Sequence, residues 1–131
     1  MKILLTCGKI SLVSAMKKIV KSKDDDEFHC FVDCRKALEW IFREKMDLII
    51  IDLKMFNGEG IDFLKKVKKI QPEAKIIGIS NSKLHRKYYL ERGCHGFLRS
   101  QFGFDDFRKE LDYLFPQQSS FDERKKNERR K

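Results

Sequence analysis

Short apolar runs that end at polar or turn residues divide the chain into five predicted strands. The clearest covers residues 47–52, where four consecutive Leu and Ile residues are closed by Asp52. Runs of this kind are typical of a strand buried on both faces of a parallel sheet. The other predicted strands are Lys2–Thr6, residues 27–32, Lys75–Ser80 and Gly96–Arg99. We expect chemistry just beyond the carboxyl ends of such strands, which is where Asp52 lies.

A predicted helix follows every predicted strand, with apolar residues at helical spacing in all but the fourth, which is short and poorly amphipathic. Asp33 is the predicted N-cap of the second helix, and Gly93 is the predicted C-cap of the fourth. The alternation of strands and helices indicates parallel βαβ units with right-handed crossovers. The predicted fold class is therefore α/β, a flavodoxin-like three-layer (βα)5 arrangement whose parallel five-stranded sheet has the order 2-1-3-4-5. The helices are predicted over residues 11–22, 34–44, 58–70 and 83–92, with the inner face of the last beginning at Phe104.

The chain of 131 residues has the length of one domain, which we predict over residues 1–115. Residues 116–131 form a polar tail that holds six basic and three acidic residues and is predicted to be disordered. The formal net charge of +9 favours an acidic partner such as nucleic acid. Three interpretations of the tail stay open: a solubilising extension, a linker to an output domain outside this sequence, or a nucleic-acid-binding arm over residues 121–131.

No apolar run approaches the ~20 residues that span a bilayer, and the N-terminus turns polar too early for a signal peptide. We therefore expect a cytoplasmic protein without membrane contact. The four cysteines match no paired zinc pattern and are expected to be buried, reduced thiols. Two alternatives are a redox role for Cys7 and Cys34, and a metal site at Cys30 and Cys34 beside His29. The metal site is disfavoured because His29 and Cys30 should point to opposite faces of a strand.

Several residues with fixed spacing together resemble a receiver domain of the two-component response regulators. The strand that ends in Asp52 is followed by Met55 at the spacing found in that family. Ser80 ends the fourth predicted strand, and the aromatic Phe97 lies in the fifth. The resemblance covers residues 2–115, and its specificity comes from the order and spacing of the motifs together.

The resemblance implies a role for each of these positions. The aspartate at the position of Asp52 accepts a phosphoryl group in typical receivers, and an acidic pair after the first strand holds Mg²⁺. A Ser or Thr at the position of Ser80 and a lysine after the fifth strand bind the phosphoryl oxygens. The aromatic residue at the position of Phe97 turns inward on activation.

This chain departs from the family pattern at the positions that bind the metal and the phosphoryl group. Cys7 and Gly8 stand where the acidic pair is expected, and Ser100 stands in place of the lysine. Mg²⁺ prefers octahedral oxygen ligands that include carboxylates, so Asp52 with these neighbours makes a poor metal site. Losing one electrostatic donor costs about 3–4 kcal/mol in comparable sites, so losing the metal and the lysine should suppress phosphorylation by orders of magnitude. We therefore expect neither a cofactor nor a bound metal.

The leading prediction is an atypical receiver domain that acts by phosphorylation-independent protein–protein interaction or homodimerisation, including as the regulatory module of a transcription regulator. No catalytic constellation is recognisable, so we do not expect an enzyme. One alternative is a receiver that a partner histidine kinase still phosphorylates on Asp52. Another is nucleic-acid binding through the basic tail. Lys9 or Lys54 beside Asp52 is a further candidate, as a substitute for the charge of the missing metal.

The resemblance also implies an interaction face made by the fourth helix, the fifth strand and the fifth helix. Mixed charge and exposed tyrosines on this face suit a self-complementary, two-fold interface. The alternative is an ordinary solvated helical face. The predicted interaction face comprises Arg86, Lys87, Tyr88, Tyr89, Glu91, Asp105, Asp106, Arg108 and Glu110.

Overall fold

A computed structural model of the chain describes residues 1–6, 14–18, 27–53, 60–80 and 85–116. Its five strands are β1 (Lys2–Thr6), β2 (Glu27–Phe31), β3 (Leu48–Asp52), β4 (Lys75–Ser80) and β5 (Gly96–Arg99). All neighbouring strands are parallel, and their order is β2-β1-β3-β4-β5. The predicted flavodoxin-like fold and strand order are confirmed.

Helices cover both faces of this sheet. Residues 14–18 form a helical segment, α1. The other helices are α2 (Cys34–Arg43), α3 (Gly60–Ile70), α4 (His85–Glu91) and α5 (Phe104–Leu114). None of the described helices is long and apolar enough to cross a membrane. The outer parts of the first predicted helix, residues 11–13 and 19–22, lie outside the described residues, as does the tail beyond Pro116, so the predicted domain boundary stays a prediction.

The alternation of side chains along the strands supplies two cores, one on each face of the sheet. Ile49 and Ile51 pack with Ile41 of α2 and with Leu64 and Val67 of α3. The intervening residues of β3 face the opposite layer. Leu48 and Ile50 pack there with Met16 of α1 and with Phe107 and Leu111 of α5. This arrangement explains why the third strand is apolar at every position from 48 to 51.

Both predicted helix caps are present. The Asp33 carboxylate accepts a hydrogen bond of 2.8 Å from the Arg35 N–H and so caps α2. Gly93 follows α4 with φ at +120°, a conformation that side chains rarely allow. A Cβ at Gly93 would also lie 3.0 Å from Cγ of Lys68. Both the backbone conformation and the contact with α3 therefore favour glycine at position 93.

Gln71 joins two loops at the amino edge of the sheet. Its buried amide oxygen accepts the Met46 N–H at 2.8 Å. Its amide nitrogen donates to the carbonyl oxygens of Ile41 at 2.8 Å and Glu44 at 2.7 Å. These bonds fasten the end of α2 to the end of α3 and satisfy backbone groups that burial would otherwise penalise.

Candidate functional site

The carboxyl edge of the sheet places Asp52 and Ser80 at the ends of neighbouring strands. Asp52 of β3 pairs in register with Ile79 of β4, one residue before Ser80. The two residues are 6% and 4% exposed, respectively. Ser100 lies beside them, because its N–H donates to the Ser80 carbonyl at 3.2 Å. The structure therefore places these three residues at the same edge of the sheet, and their joint role in one pocket stays a prediction.

Two hydroxyls near this edge are buried without a hydrogen-bond partner among the described residues. They are Oγ1 of Thr6, at the end of β1, and Oγ of Ser100. Both atoms are neutral, so neither supplies the cation that a lysine would place beside a phosphoryl group. Cys7 and Gly8, at the predicted acidic-pair positions, lie outside the described residues.

The described residues form no group of three or more His, Cys, Asp or Glu side chains that could hold a metal ion. The family would place Mg²⁺ beside Asp52, and the chain offers a thiol and a glycine where its carboxylate ligands would stand. A soft thiol is a poor ligand for this hard cation, so the donor set does not fit Mg²⁺. The candidate charge substitutes Lys9 and Lys54 lie outside the described residues.

Phe97 is turned inward and is only 6% exposed. The ring of Tyr89 from α4 stacks on it, with centroids 5.4 Å apart and planes 10° from parallel. The Tyr89 hydroxyl lies 3.4 Å from Oγ of Ser80. Tyr89 therefore bridges the aromatic residue of β5 and the hydroxyl at the end of β4.

The expectation of exposed tyrosines was wrong. Tyr88 and Tyr89 are half-buried, because their rings gain more from aromatic packing than from water. Tyr88 packs edge-on against Tyr89 at 4.9 Å, and the Arg92 guanidinium lies 3.7 Å from the Tyr88 ring centre. A cation over an aromatic face is itself favourable. The one feature of the sequence that could have indicated this burial is the aromatic residue Phe97 on the neighbouring strand, on which Tyr89 stacks.

Glu110 links the three elements of the predicted interaction face. Its Oε2 accepts a hydrogen bond of 2.7 Å from Arg86 of α4, and its Oε1 accepts the Phe97 N–H of β5 at 3.3 Å. The carboxylate reaches β5 across Gly96, where a Cβ would lie 2.5 Å from Oε1. Ionised acceptors make comparatively strong hydrogen bonds, so α4, β5 and α5 are held in one arrangement.

The remaining residues of that face divide by exposure. Asp106 is exposed, and its carboxylate accepts the Gly103 N–H at 2.9 Å at the start of α5. Arg108 is half-buried. The other exposed members of the face are Arg86, Lys87, Glu91 and Asp105.

The cysteines are not uniformly buried. Burial raises the pKa of Cys94 to about 12, which keeps this thiol protonated and inert. Cys30 is exposed, contrary to expectation, and lies on β2, the strand at the edge of the sheet. The neighbouring His29 points to the opposite side of this strand from Cys30, where its ring lies 4.5 Å from Trp40. Cys34 is half-buried, and Cys7 lies outside the described residues.

The model of the response regulator receiver domain family matches residues 9–112. The chain belongs to this family and is a receiver domain of a response regulator in two-component signalling. Receiver domains are signalling modules that interact with other proteins and can dimerise.

Similar proteins agree with this assignment. The Fimbriae Z protein of Salmonella typhimurium is 26% identical over 93 residues, which cover 68% of this chain and 43% of that protein. The chain thus spans less than half the length of this relative. A two-component response regulator from Clostridium difficile has a TM-score of 0.76 at 18% identity, over 88% of this chain and 95% of that one. A beryllofluoride-activated NtrC4 receiver domain dimer has a TM-score of 0.77 at 20% identity, over 88% and 97%. At these identities the two structures share the fold.

Proposed function

We propose that this receiver domain presents its α4–β5–α5 face to a protein partner or a second copy without needing a phosphoryl group on Asp52. The observation that carries the proposal is the inward position of Phe97, which is 6% exposed and stacked on Tyr89. In the family, the aromatic residue at this position turns inward on activation. Here the inward position is stabilised by contacts that belong to the chain itself.

Those contacts substitute for the bond that a phosphoryl group would make. In a typical receiver the Ser or Thr hydroxyl binds the phosphoryl oxygens, and the aromatic residue turns inward on activation. Here the Tyr89 hydroxyl approaches Oγ of Ser80 at 3.4 Å, while its ring covers Phe97. Glu110 holds the Phe97 backbone from the other side. The free energy of these contacts biases the domain toward one state before any ligand binds.

The composition of the pocket supports the same proposal. Cys7 and Gly8 replace the acidic pair, and Ser100 replaces the lysine, so developing charge on a transferred phosphoryl group would be poorly neutralised. We infer a cytoplasmic, non-enzymatic interaction module. A dimer is one form of it, as for the NtrC4 receiver domain. A role in transcription would require an output domain or a DNA-binding partner.

Incubation with Mg²⁺ and a small phosphodonor, followed by intact-mass measurement, tests this proposal. We expect no mass gain of one phosphoryl group, in either the natural chain or the Asp52→Ala variant. A typical receiver treated in parallel is the positive control. A gain that depends on Asp52 would overturn the proposal.

A second candidate function is phosphorylation of Asp52 by a partner histidine kinase that supplies the missing groups. The observation that favours it is the retained placement of Asp52 beside Ser80 at the carboxyl edge of the sheet. It predicts kinase-dependent labelling that Asp52→Ala abolishes. Absence of labelling with every kinase encoded in the same genome would exclude it.

A further inference from the structure

The two helical layers of the domain differ in charge. Helices α2 and α3, with the sequences CRKALEWIFR and GIDFLKKVKKI, together hold seven basic and two acidic residues. On the other side of the sheet, α5 has the sequence FDDFRKELDYL, with four acidic and two basic residues, and the described segment of α1 adds Lys17 and Lys18, which makes that layer neutral. Charge concentrated on one layer gives a directional positive potential, which an even distribution would not.

Five of the basic residues form what we call the basic face. They are Arg35 and Lys36 of α2 with Lys65, Lys66 and Lys69 of α3, and all five are exposed. Within the described part of the chain, none of them pairs with a carboxylate.

Some of the cations elsewhere on the described surface are paired with carboxylates. Lys2 lies 3.6 Å from Glu44, and Lys45 lies 3.5 Å from Glu73. Arg86 is paired with Glu110.

Other exposed cations, such as Lys17 and Lys109, also lack a carboxylate partner among the described residues, and the exposed Glu39 and Asp62 lie on the same two helices as the basic face. The basic face differs from the rest of the surface in the concentration of its positive charge on two neighbouring helices.

The basic face has the dimensions of a nucleic-acid backbone contact. Helix α2 packs beside α3, which has 11 residues and so is about 16 Å long at ~1.5 Å per residue. Lys65 and Lys69 lie one turn apart, about 6 Å along the axis. A DNA duplex carries one negative charge per ~1.7 Å of its axis, or roughly nine over that length. Phosphates are thus dense enough to contact every cation of the face.

We propose that the basic face binds double-stranded DNA through its phosphate backbone, independently of sequence. Among the described residues, Phe42 is the one exposed aromatic residue on α2 and α3, at 69% exposure, whereas single-strand binding stacks successive bases on several rings. The Trp40 ring is engaged by His29 at 4.5 Å and by Arg43 at 5.5 Å. Stacking on unpaired bases, which single-strand binding uses, is therefore not the mode of contact. The phosphates of a duplex form a regular array of negative charge along two neighbouring helices, whereas the charges of a flexible acidic peptide have no fixed spacing. This role depends neither on Asp52 nor on the basic tail.

The test uses the full chain and fluorescence anisotropy with a labelled duplex of about 20 base pairs, from about 50 to 200 mM salt. The first variant is Lys65→Gln/Lys66→Gln/Lys69→Gln. The matched control, Lys17→Gln/Lys18→Gln/Lys109→Gln, removes the same charge from exposed positions of α1 and α5. A third variant, Lys125→Gln/Lys126→Gln/Arg129→Gln, removes three positive charges from the tail. Lys65→Arg/Lys66→Arg/Lys69→Arg keeps the charge of the face and controls for an effect on folding.

We expect the first variant to lose affinity about 10- to 100-fold at low salt, and its log–log salt slope to fall in magnitude by about 3, near 0.9 per lost phosphate contact. The α1/α5 control and the arginine variant should keep both the affinity and the slope. Loss in the tail variant with none in the first variant would overturn the proposal. So would equal losses in the first variant and its control, or equally tight binding of poly-glutamate, which would indicate an acidic protein partner.

Discussion

At the scale of single residues, the surroundings of His95 favour its neutral form. The Ile76 N–H donates to its Nδ1 at 3.0 Å, which requires a neutral acceptor nitrogen there. Desolvation, together with the nearby charges of Lys68 and Lys75, lowers the pKa of His95 below its usual value. Protonation would break the hydrogen bond and add a third positive charge beside two lysines.

This pKa shift predicts acid sensitivity. Because the unfolded chain binds a proton at His95 more readily, the stabilising contribution is present above about pH 6.5 and is lost as pH falls toward the folded-state pKa. Denaturant unfolding at pH 7.5, 6.5 and 5.5 should show a smaller loss of stability in His95→Asn, whose amide oxygen accepts without titrating, than in the natural chain. His29→Asn, at a histidine beside Glu27, is the control and should keep the full loss. Identical pH profiles for the natural chain and His95→Asn would contradict this account.

At the scale of elements, the apolar periodicity was enough to place the five strands and, within the described residues, the helices, although β2 and α2 each end one residue earlier than predicted. The end of β3 at Asp52 and the start of α2 at Cys34 follow from where the apolar pattern meets a carboxylate. Local patterns fail for contacts between residues distant in sequence. Glu110 reaches Phe97, and Gln71 reaches Ile41, across 13 and 30 positions, respectively. The burial of Tyr89 was missed for the same reason, since it depends on a ring of another element.

Gln71 provides the test at this scale. Gln71→Leu removes three hydrogen bonds and leaves two carbonyl oxygens and one N–H buried without their partner. We expect a loss of about 3 kcal/mol in the free energy of unfolding, measured by denaturant titration. Gln101→Leu makes the same change at an exposed position and should shift stability by no more than about 0.5 kcal/mol. A loss under about 1 kcal/mol in Gln71→Leu would show that water replaces the side chain.

At the scale of the whole molecule, two separate surfaces have different proposed tasks. The α4–β5–α5 face is held in one arrangement by Tyr89 and Glu110 and is proposed to bind a protein. The basic face on α2 and α3 is proposed to bind DNA. The two surfaces rest on different residues. Fold and family follow from the sequence pattern, whereas this division of surfaces required the positions of side chains.

The most direct measurement concerns the state of Phe97. Amide chemical shifts of Phe97 and Tyr89 are recorded by NMR with and without beryllofluoride and Mg²⁺, in the natural chain and in Asp52→Ala. We predict that the additions leave both resonances unchanged in both proteins, because the inward arrangement forms without a phosphoryl group. Shifts of Phe97 and Tyr89 that appear in the natural chain and vanish in Asp52→Ala would contradict the account.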